Sequence, residues 1–318
     1  SHKMGARSTN PTQSFFDDFF RSGTDAVRPV STFSASGGFK NSPGNGYTYH
    51  VFTSSGSLIC SGGSRPVEYL VVASGGSGSS RHGGGGGAGG GLHNISGVPG
   101  AGSAMTLNPG TYPVSVATSG GSPVSGPDSN DGNKGSDSVF NSITAAGGGA
   151  STDGNGTNCD RSPGGCGGAS HDGSCPRAGT QGGDGGISGS PSPGGNNSGG
   201  PGGNGKSYGT GFAGPLIGAI MTANSVPSPE VSAFETAVGP TGLYAGGGGG
   251  GQWGNGTGPA GAGGGGMGGN GSPSLGAGVY GVAGPGGGGT GGVGPDTRLA
   301  TPGVKYTGGG GGGAGGTA

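Results

Sequence analysis

Charged side chains are what this sequence has least of. They make up 8% of its residues, against roughly a quarter in ordinary globular domains. The few that exist nearly cancel, 13 Lys+Arg against 14 Asp+Glu, for a formal net charge of −1. A basic stripe of the kind that neutralises nucleic-acid phosphates is therefore missing. So is a polybasic anchor for anionic lipid. Hydrophobic residues are also scarce, at 27%, so the chain cannot bury a side-chain core along its whole length. Long apolar runs are lacking as well. The most hydrophobic stretch, Pro215-Leu-Ile-Gly-Ala-Ile-Met221, is about a third of a membrane span, and no membrane insertion is expected.

Cysteine is sparse: Cys60 stands alone, and Cys159, Cys166 and Cys175 fall close together. Their spacings lack the paired C-x₂-C knuckles of zinc ribbons. A disulfide among Cys159, Cys166 and Cys175 is the preferred reading, ahead of free thiols and of metal, and it implies an oxidising location. Catalytic spacing is missing too. His2, His50, His82, His93 and His171 have no ligand or catalytic partner at diagnostic distance. His50 reads as a partly buried sheet residue. Asp153, Asp160, Asp172 and Asp184 recur in glycine-rich stretches but without the spacing of calcium-binding repeats. No Walker lysine follows the glycines. The sequence thus predicts a chain that is not an enzyme and needs no cofactor and no metal.

What is abundant is glycine, 95 of 318 residues, with 23 prolines. Residues 1–29 form a leader without periodicity, marked by Phe15-Phe16-Asp17-Asp18-Phe19-Phe20. It is either an amphipathic turn lying on the next domain or an arm that docks into a neighbouring copy. Residues 30–146 hold the strand-like segments. These are Tyr47-Thr-Tyr-His-Val-Phe52, Ser57-Leu-Ile-Cys60, Val67-Glu-Tyr-Leu-Val-Val-Ala73, Thr111-Tyr-Pro-Val-Ser-Val-Ala117 and Ser138-Val-Phe-Asn-Ser-Ile-Thr-Ala145. Turn residues separate them, which predicts a small antiparallel β-sandwich. One helix is predicted elsewhere, Ser228–Ala237, with Ser at its cap and Pro at its first position.

Glycine tracts then alternate with ordinary segments from 83–91 to 308–316, at a loose period. Helix and strand both suit such tracts poorly, and collagen requires a strict Gly-X-Y period. Polyproline II remains: three residues per turn, no internal hydrogen bonds, backbone groups free to bond to neighbours. The overall expectation is a mostly irregular fold with β structure. A sandwich is followed over 147–318 by a bundle of packed polyglycine/polyproline-II helices joined by loops. Prolines at tract edges, such as Pro163 and Pro259, favour the required φ.

Val67-Glu-Tyr-Leu-Val-Val-Ala-Ser-Gly-Gly76, the glycine tracts, and Ile143-Thr-Ala-Ala-Gly-Gly-Gly149 resemble glycine-rich domains of phage tail-fibre proteins. The alternation of tracts with loops is similar to the tip adhesins of T-even-like phages, over residues 45–318. That resemblance implies a layered polyglycine-II sandwich, an extracellular or virion-surface location, and receptor recognition by loops at the ends of the helices. The leader and the sandwich depart from the attachment domain expected there. The loop aromatics Tyr208, Phe212, Tyr244, Trp253, Tyr280 and Tyr306 are the candidate receptor contacts, with capping of the bundle ends as their other possible role. The expected partner is a host cell-surface protein or glycan, or else copies of the chain in a self-assembling filament.

Overall fold

The computed structural model describes residues 32–78, 85–118, 132–151, 165, 179, 181, 205–248 and 303–312. Phe15, Phe16, Phe19, Phe20, Cys159, Cys166, Cys175, Trp253 and Tyr280 lie outside the described residues.

Short strands in small antiparallel sheets dominate. The largest sheet has five strands: β1 (Ser34–Ser36), β4 (Gly56–Ser61), β9 (Gly110–Ser115), β10 (Ser138–Phe140) and β11 (Ile143–Ala145), adjacent in that order. Every pairing in it is antiparallel. Its centre follows from two-residue alternation. Leu58 and Cys60 point into the core while Ile59 between them stays half exposed, as the pleat requires. Among the described residues, four two-stranded ribbons accompany this sheet. They pair β2 (Phe39–Asn41) with β3 (Tyr49–Val51), and β5 (Arg65–Val67) with β8 (Met105–Leu107). The other two pair β6 (Leu70–Val72) with β7 (Gly91–His93), and β12 (Lys206–Ser207) with β13 (Leu243–Tyr244).

Two expected strands are each divided. Val67–Ala73 breaks between β5 and β6, because Val67 pairs with Met105 while Leu70 pairs with His93 in a different ribbon. Ser138–Ala145 is a hairpin, not one strand. Asn141 turns the chain with φ 53°, a left-handed value that Asn tolerates better than most residues.

The segment 206–244, whose aromatics Tyr208, Phe212 and Tyr244 the sequence placed in loops around one expected helix, is a small helical unit. A single 3₁₀ turn (Thr210–Phe212) leads into α1 (Gly214–Ala223), and α2 (Ser228–Val238) follows where a helix was expected, although Pro227 and not Ser228 holds its N-cap and no side chain caps it. The apolar run Pro215–Met221 is thus a helix. Ile217, Ile220 and Met221 face inward, and Gly214 allows the close crossing, since a Cβ there would press on Glu235 O at 2.7 Å. In α2, Val231, Phe234 and Val238 recur at helical spacing on the buried face. Gly239, with φ 62°, ends it.

Glycine-rich backbone fills the space beside these elements. Segment 73–78 donates from Ala73 and Gly76 to Gly90 O and Gly87 O. It donates from Ser74 and Ser77 to Ser136 O and Asn133 O. Ser74 O and Ser77 O in turn accept from Gly148 and Ser151, and Gly76 O accepts from Gly311. Four different neighbours therefore surround one segment, and each doubly bonded neighbour is met again three residues later. The same step appears where Gly86 and Gly89 bond to Gly311 and Gly308, and where Gly132 and Gly135 bond to Ser151 and Gly148. Side chains are excluded between these backbones. A Cβ on Gly76 would overlap Gly149 O, and one on Gly89 would overlap Ala73 O.

Three apolar clusters hold the ordinary segments. The first unites Ile95, Tyr208, Tyr244 and the inner faces of α1 and α2, with Phe39, Tyr49 and Val51 packed against it. Residues on both sides of the expected division at 146 share this cluster. The second lies against the five-stranded sheet around Leu58, Cys60 and Leu107, and the third around Val71, Ala73 and Ala145.

Candidate functional site

The aromatic residues proposed for contact with a receptor separate into two groups. Tyr208 and Tyr244 are buried, at 2% and 5% exposure. Their rings stack edge to face at 5.9 Å, and Phe234 meets Tyr244 the same way at 6.0 Å. The Tyr244 hydroxyl donates to Phe212 O at 3.0 Å, and burial pushes its pKa up. Phe212 packs half-buried on the same cluster. The expectation that Tyr208 and Tyr244 present their rings to a partner is therefore overturned. The β12–β13 ribbon and the helical pair draw these two rings inward, because α2 and the unexpected α1 together supply the apolar faces.

Tyr306 differs. It is 36% exposed and adopts φ 66°, a left-handed conformation unusual for a bulky side chain. Its hydroxyl donates to Glu230 Oε2 at 2.9 Å, while Lys305 Nζ contacts Glu230 Oε1 at 2.5 Å. Those two hydrogen bonds, Lys305 first, hold the Glu230 carboxyl below its usual range. Glu230 sits in the first turn of α2, where a carboxylate also suits the helix dipole. The result is an exposed Lys–Glu–Tyr group that fastens the 303–308 turn to α2. Sequence reasoning missed Glu230 and Lys305, and no local pattern joins positions 75 residues apart.

A buried polar group lies near the aromatic cluster. His93 closes β7 with 1% exposure. Its Nδ1 accepts from the Ile95 N–H at 3.2 Å, and its Nε2 faces Pro99 O at 3.2 Å and Lys206 Nζ at 3.1 Å. Burial, then the Lys206 charge, lower the His93 pKa, with the Pro99 carbonyl acting against them. Lys206 is lowered by burial and lies 5.3 Å from the Tyr208 ring centroid. The group ties β7 to β12. His50 is half-buried in β3, as expected, with Nδ1 2.7 Å from Gly37 O. Cys60 is a buried free thiol, its pKa raised by burial.

Polar side chains also enter the glycine lattice. Ser74 Oγ accepts from Ser136 N–H and Ser77 Oγ from Asn133 N–H, each at 2.7 Å. These bonds return along the same two residue pairs that the backbone joins. The sequence analysis did not single them out; serines three residues apart at the edge of a glycine tract are the signal that could have found them.

Between the five-stranded sheet and the helical pair opens a cavity of about 2290 Å³. Phe52, Leu58 and Phe140 line it on the sheet side, and Ile217, Met221 and Tyr244 on the other. Among the described residues, no group of three or more His, Cys, Asp or Glu side chains is placed to hold a metal ion, and no helix is long and apolar enough to cross a membrane. Comparison of the chain with protein-family models, with curated proteins and with solved structures finds no match.

Proposed function

We propose that this chain is a non-enzymatic scaffold of a phage tail fibre or its tip adhesin, in which packed polyglycine-II helices hold loops that attach the particle to a host surface. One observation carries the reading: backbone partners recur every third residue along 73–78, 85–91 and 132–137. A helix with three residues per turn and no internal bonds turns its N–H and C=O groups to successive neighbours at that step. Such a lattice is stiff, because its backbone groups are satisfied by other segments and not by water. It also offers almost no side-chain chemistry. Function then passes to what the lattice holds, as in other rigid scaffolds whose loops do the binding.

On this reading the partner is a protein or glycan of the host cell surface, and the location is extracellular, on the virion. A net charge of −1 gives no electrostatic reason to add nucleic acid or a membrane to the partners. Fluorescently labelled full-length protein, added to bacterial cells, tests the proposal. Saturable binding that is lost when surface glycan or outer-membrane protein is stripped supports it. Filaments that lengthen with protein concentration, without cell binding, would replace it with the self-assembling subunit.

A further inference from the structure

We propose that Asn45 is a self-modification site, where the tip of the β2–β3 hairpin converts its own carboxamide to a carboxylate through a cyclic imide, with Tyr49 as the proton donor. The inference does not depend on the function proposed above.

The tip leaves one amide in the open. β2 and β3 pair as far as Asn41 and Tyr49, and the Ser42 and Thr48 hydroxyls meet one step further out at 2.8 Å. Beyond them the chain reverses through Pro43-Gly44-Asn45-Gly46-Tyr47, with Gly44 and Gly46 both at φ 88°. Asn45 is exposed, and among the described residues it is the asparagine that a glycine follows. The backbone nitrogen after an asparagine can attack the side-chain carbonyl carbon, and glycine puts no side chain in its way. Nothing lies within 4 Å of where a Cβ on Gly46 would sit.

Two contacts hold the carboxamide, and each suits a step of that reaction. Asn45 Oδ1 accepts from the Tyr47 N–H at 3.2 Å, which folds the side chain back over the Gly46 peptide. The same N–H faces the oxygen on which negative charge develops when Cγ becomes tetrahedral. Asn45 Nδ2 donates to the Tyr49 hydroxyl oxygen at 2.9 Å. Among the described residues, no acceptor takes the proton of that hydroxyl. Tyr49 is fixed in place, half-buried with its ring packed on the helical cluster.

Hydroxide removes the Gly46 amide proton, and the nitrogen bonds to Asn45 Cγ while the carbonyl π pair moves onto Oδ1. Collapse of this intermediate breaks the Cγ–Nδ2 bond. The departing nitrogen, now with a free lone pair, takes the Tyr49 proton and leaves as ammonia. The tyrosinate recovers a proton from water, which regenerates the hydroxide. A second water opens the imide at either carbonyl, giving aspartate or isoaspartate. A new carboxylate then stands beside Tyr47, whose side chain is 55% exposed.

The test incubates the folded full-length protein in mildly alkaline buffer and follows residue 45 by peptide mapping and an isoaspartate assay. The reference is the same protein in guanidinium chloride. Asn45 should be lost at least tenfold faster in the folded protein, a modest share of the roughly 10²–10⁴-fold that a positioned proton donor contributes. Tyr49→Phe keeps the ring in its cluster. It should slow the folded rate toward that in guanidinium and leave the guanidinium rate unchanged. A parent protein that loses Asn45 no faster folded than unfolded has a tip that protects the residue, which would overturn the proposal without any variant. A folded Tyr49→Phe protein that reacts as fast as the parent would overturn the role of Tyr49.

Discussion

Lys206 Nζ and His93 Nε2 lie 3.1 Å apart, and both point at one acceptor, the carbonyl of Pro99, at 2.6 and 3.2 Å. Neutral His93 fits this arrangement. Its Nδ1 has a lone pair for the Ile95 N–H, and its Nε2–H has the Pro99 carbonyl. A proton added at Nδ1 would remove the first bond and set an imidazolium beside an ammonium.

Acid should therefore weaken the fold. The folded pKa of His93 is lowered, so below its unfolded value, about 6.5, the unfolded chain binds a proton that the folded chain resists. The stability from neutral His93 is present above that pH and is lost progressively as pH falls toward the folded pKa. Over that window the loss approaches about 1.4 kcal/mol per pH unit. Denaturant midpoints at pH 7.5 and pH 5 should separate for the parent protein and converge for His93→Gln. Equal separation in both proteins would assign the acid response to another group.

Glycine substitution is the sharpest probe of the lattice. At Gly76, Gly148 and Gly248 an added Cβ would overlap the backbone oxygens of Gly149, Gly87 and Gly311 respectively. None of these backbones can move aside without breaking its own hydrogen bonds. Valine at any of the three should cost several kcal/mol, at or above the overpacking range of about 1–3 kcal/mol. Gly110→Ala is the control, because nothing lies within 4 Å of a Cβ there. If all three valine variants melt with the parent, these backbones do not pack as described.

The place of several strands was legible, their pairing was not, and the helices were only half so. β3, β4 and β9 follow aromatic and β-branched alternation, and α2 announces itself through Ser228, Pro229 and the spacing of Val231, Phe234 and Val238. α1 did not, since its run was weighed only as a membrane span and Gly214 and Gly218 lower its helical propensity. In the fold they are the small face on which Glu235 of α2 sits. The ends of Val67–Ala73 and Ser138–Ala145 were visible but their breaks were not, since partner choice there is set by segments far away in sequence. The burial of Tyr208 and Tyr244 was hidden for the same reason. An aromatic in a glycine-rich stretch looks exposed until the helices that cover it are placed. Ser74 and Ser77 carried a readable signal, a three-residue spacing beside glycines.

Tyr244 therefore belongs to stability experiments. Tyr244→Phe removes the bond to Phe212 O and leaves a partly buried carbonyl short of a donor, a cost of about 1 kcal/mol. Tyr244→Ala removes a buried ring that touches Tyr208 and Phe234, a cost of about 3–5 kcal/mol. Thermal melts should rank parent, Phe and Ala in that order. An alanine variant as stable as the parent would return Tyr244 to the surface.

Attachment, on the proposed function, should depend instead on aromatics that the scaffold holds outward. Tyr306 is the candidate among the described residues, exposed and held at φ 66° by a turn that Lys305 and Glu230 clamp to α2. A bulky residue kept in a sparsely populated conformation points to a use for its position. A rigid aromatic also loses little entropy on binding. Tyr306→Ala removes one exposed hydrogen bond, so its melting temperature should stay within a few degrees of the parent. Cell binding should weaken, and by more when Trp253→Ala is added. Lys305→Ala serves as the comparison, because it loosens the clamp while leaving the ring. If the Tyr306 and Trp253 variants bind cells as the parent does, recognition does not use these aromatics. The same cells should then be challenged with protein lacking residues 1–29, since the leader is the remaining stretch rich in aromatic side chains.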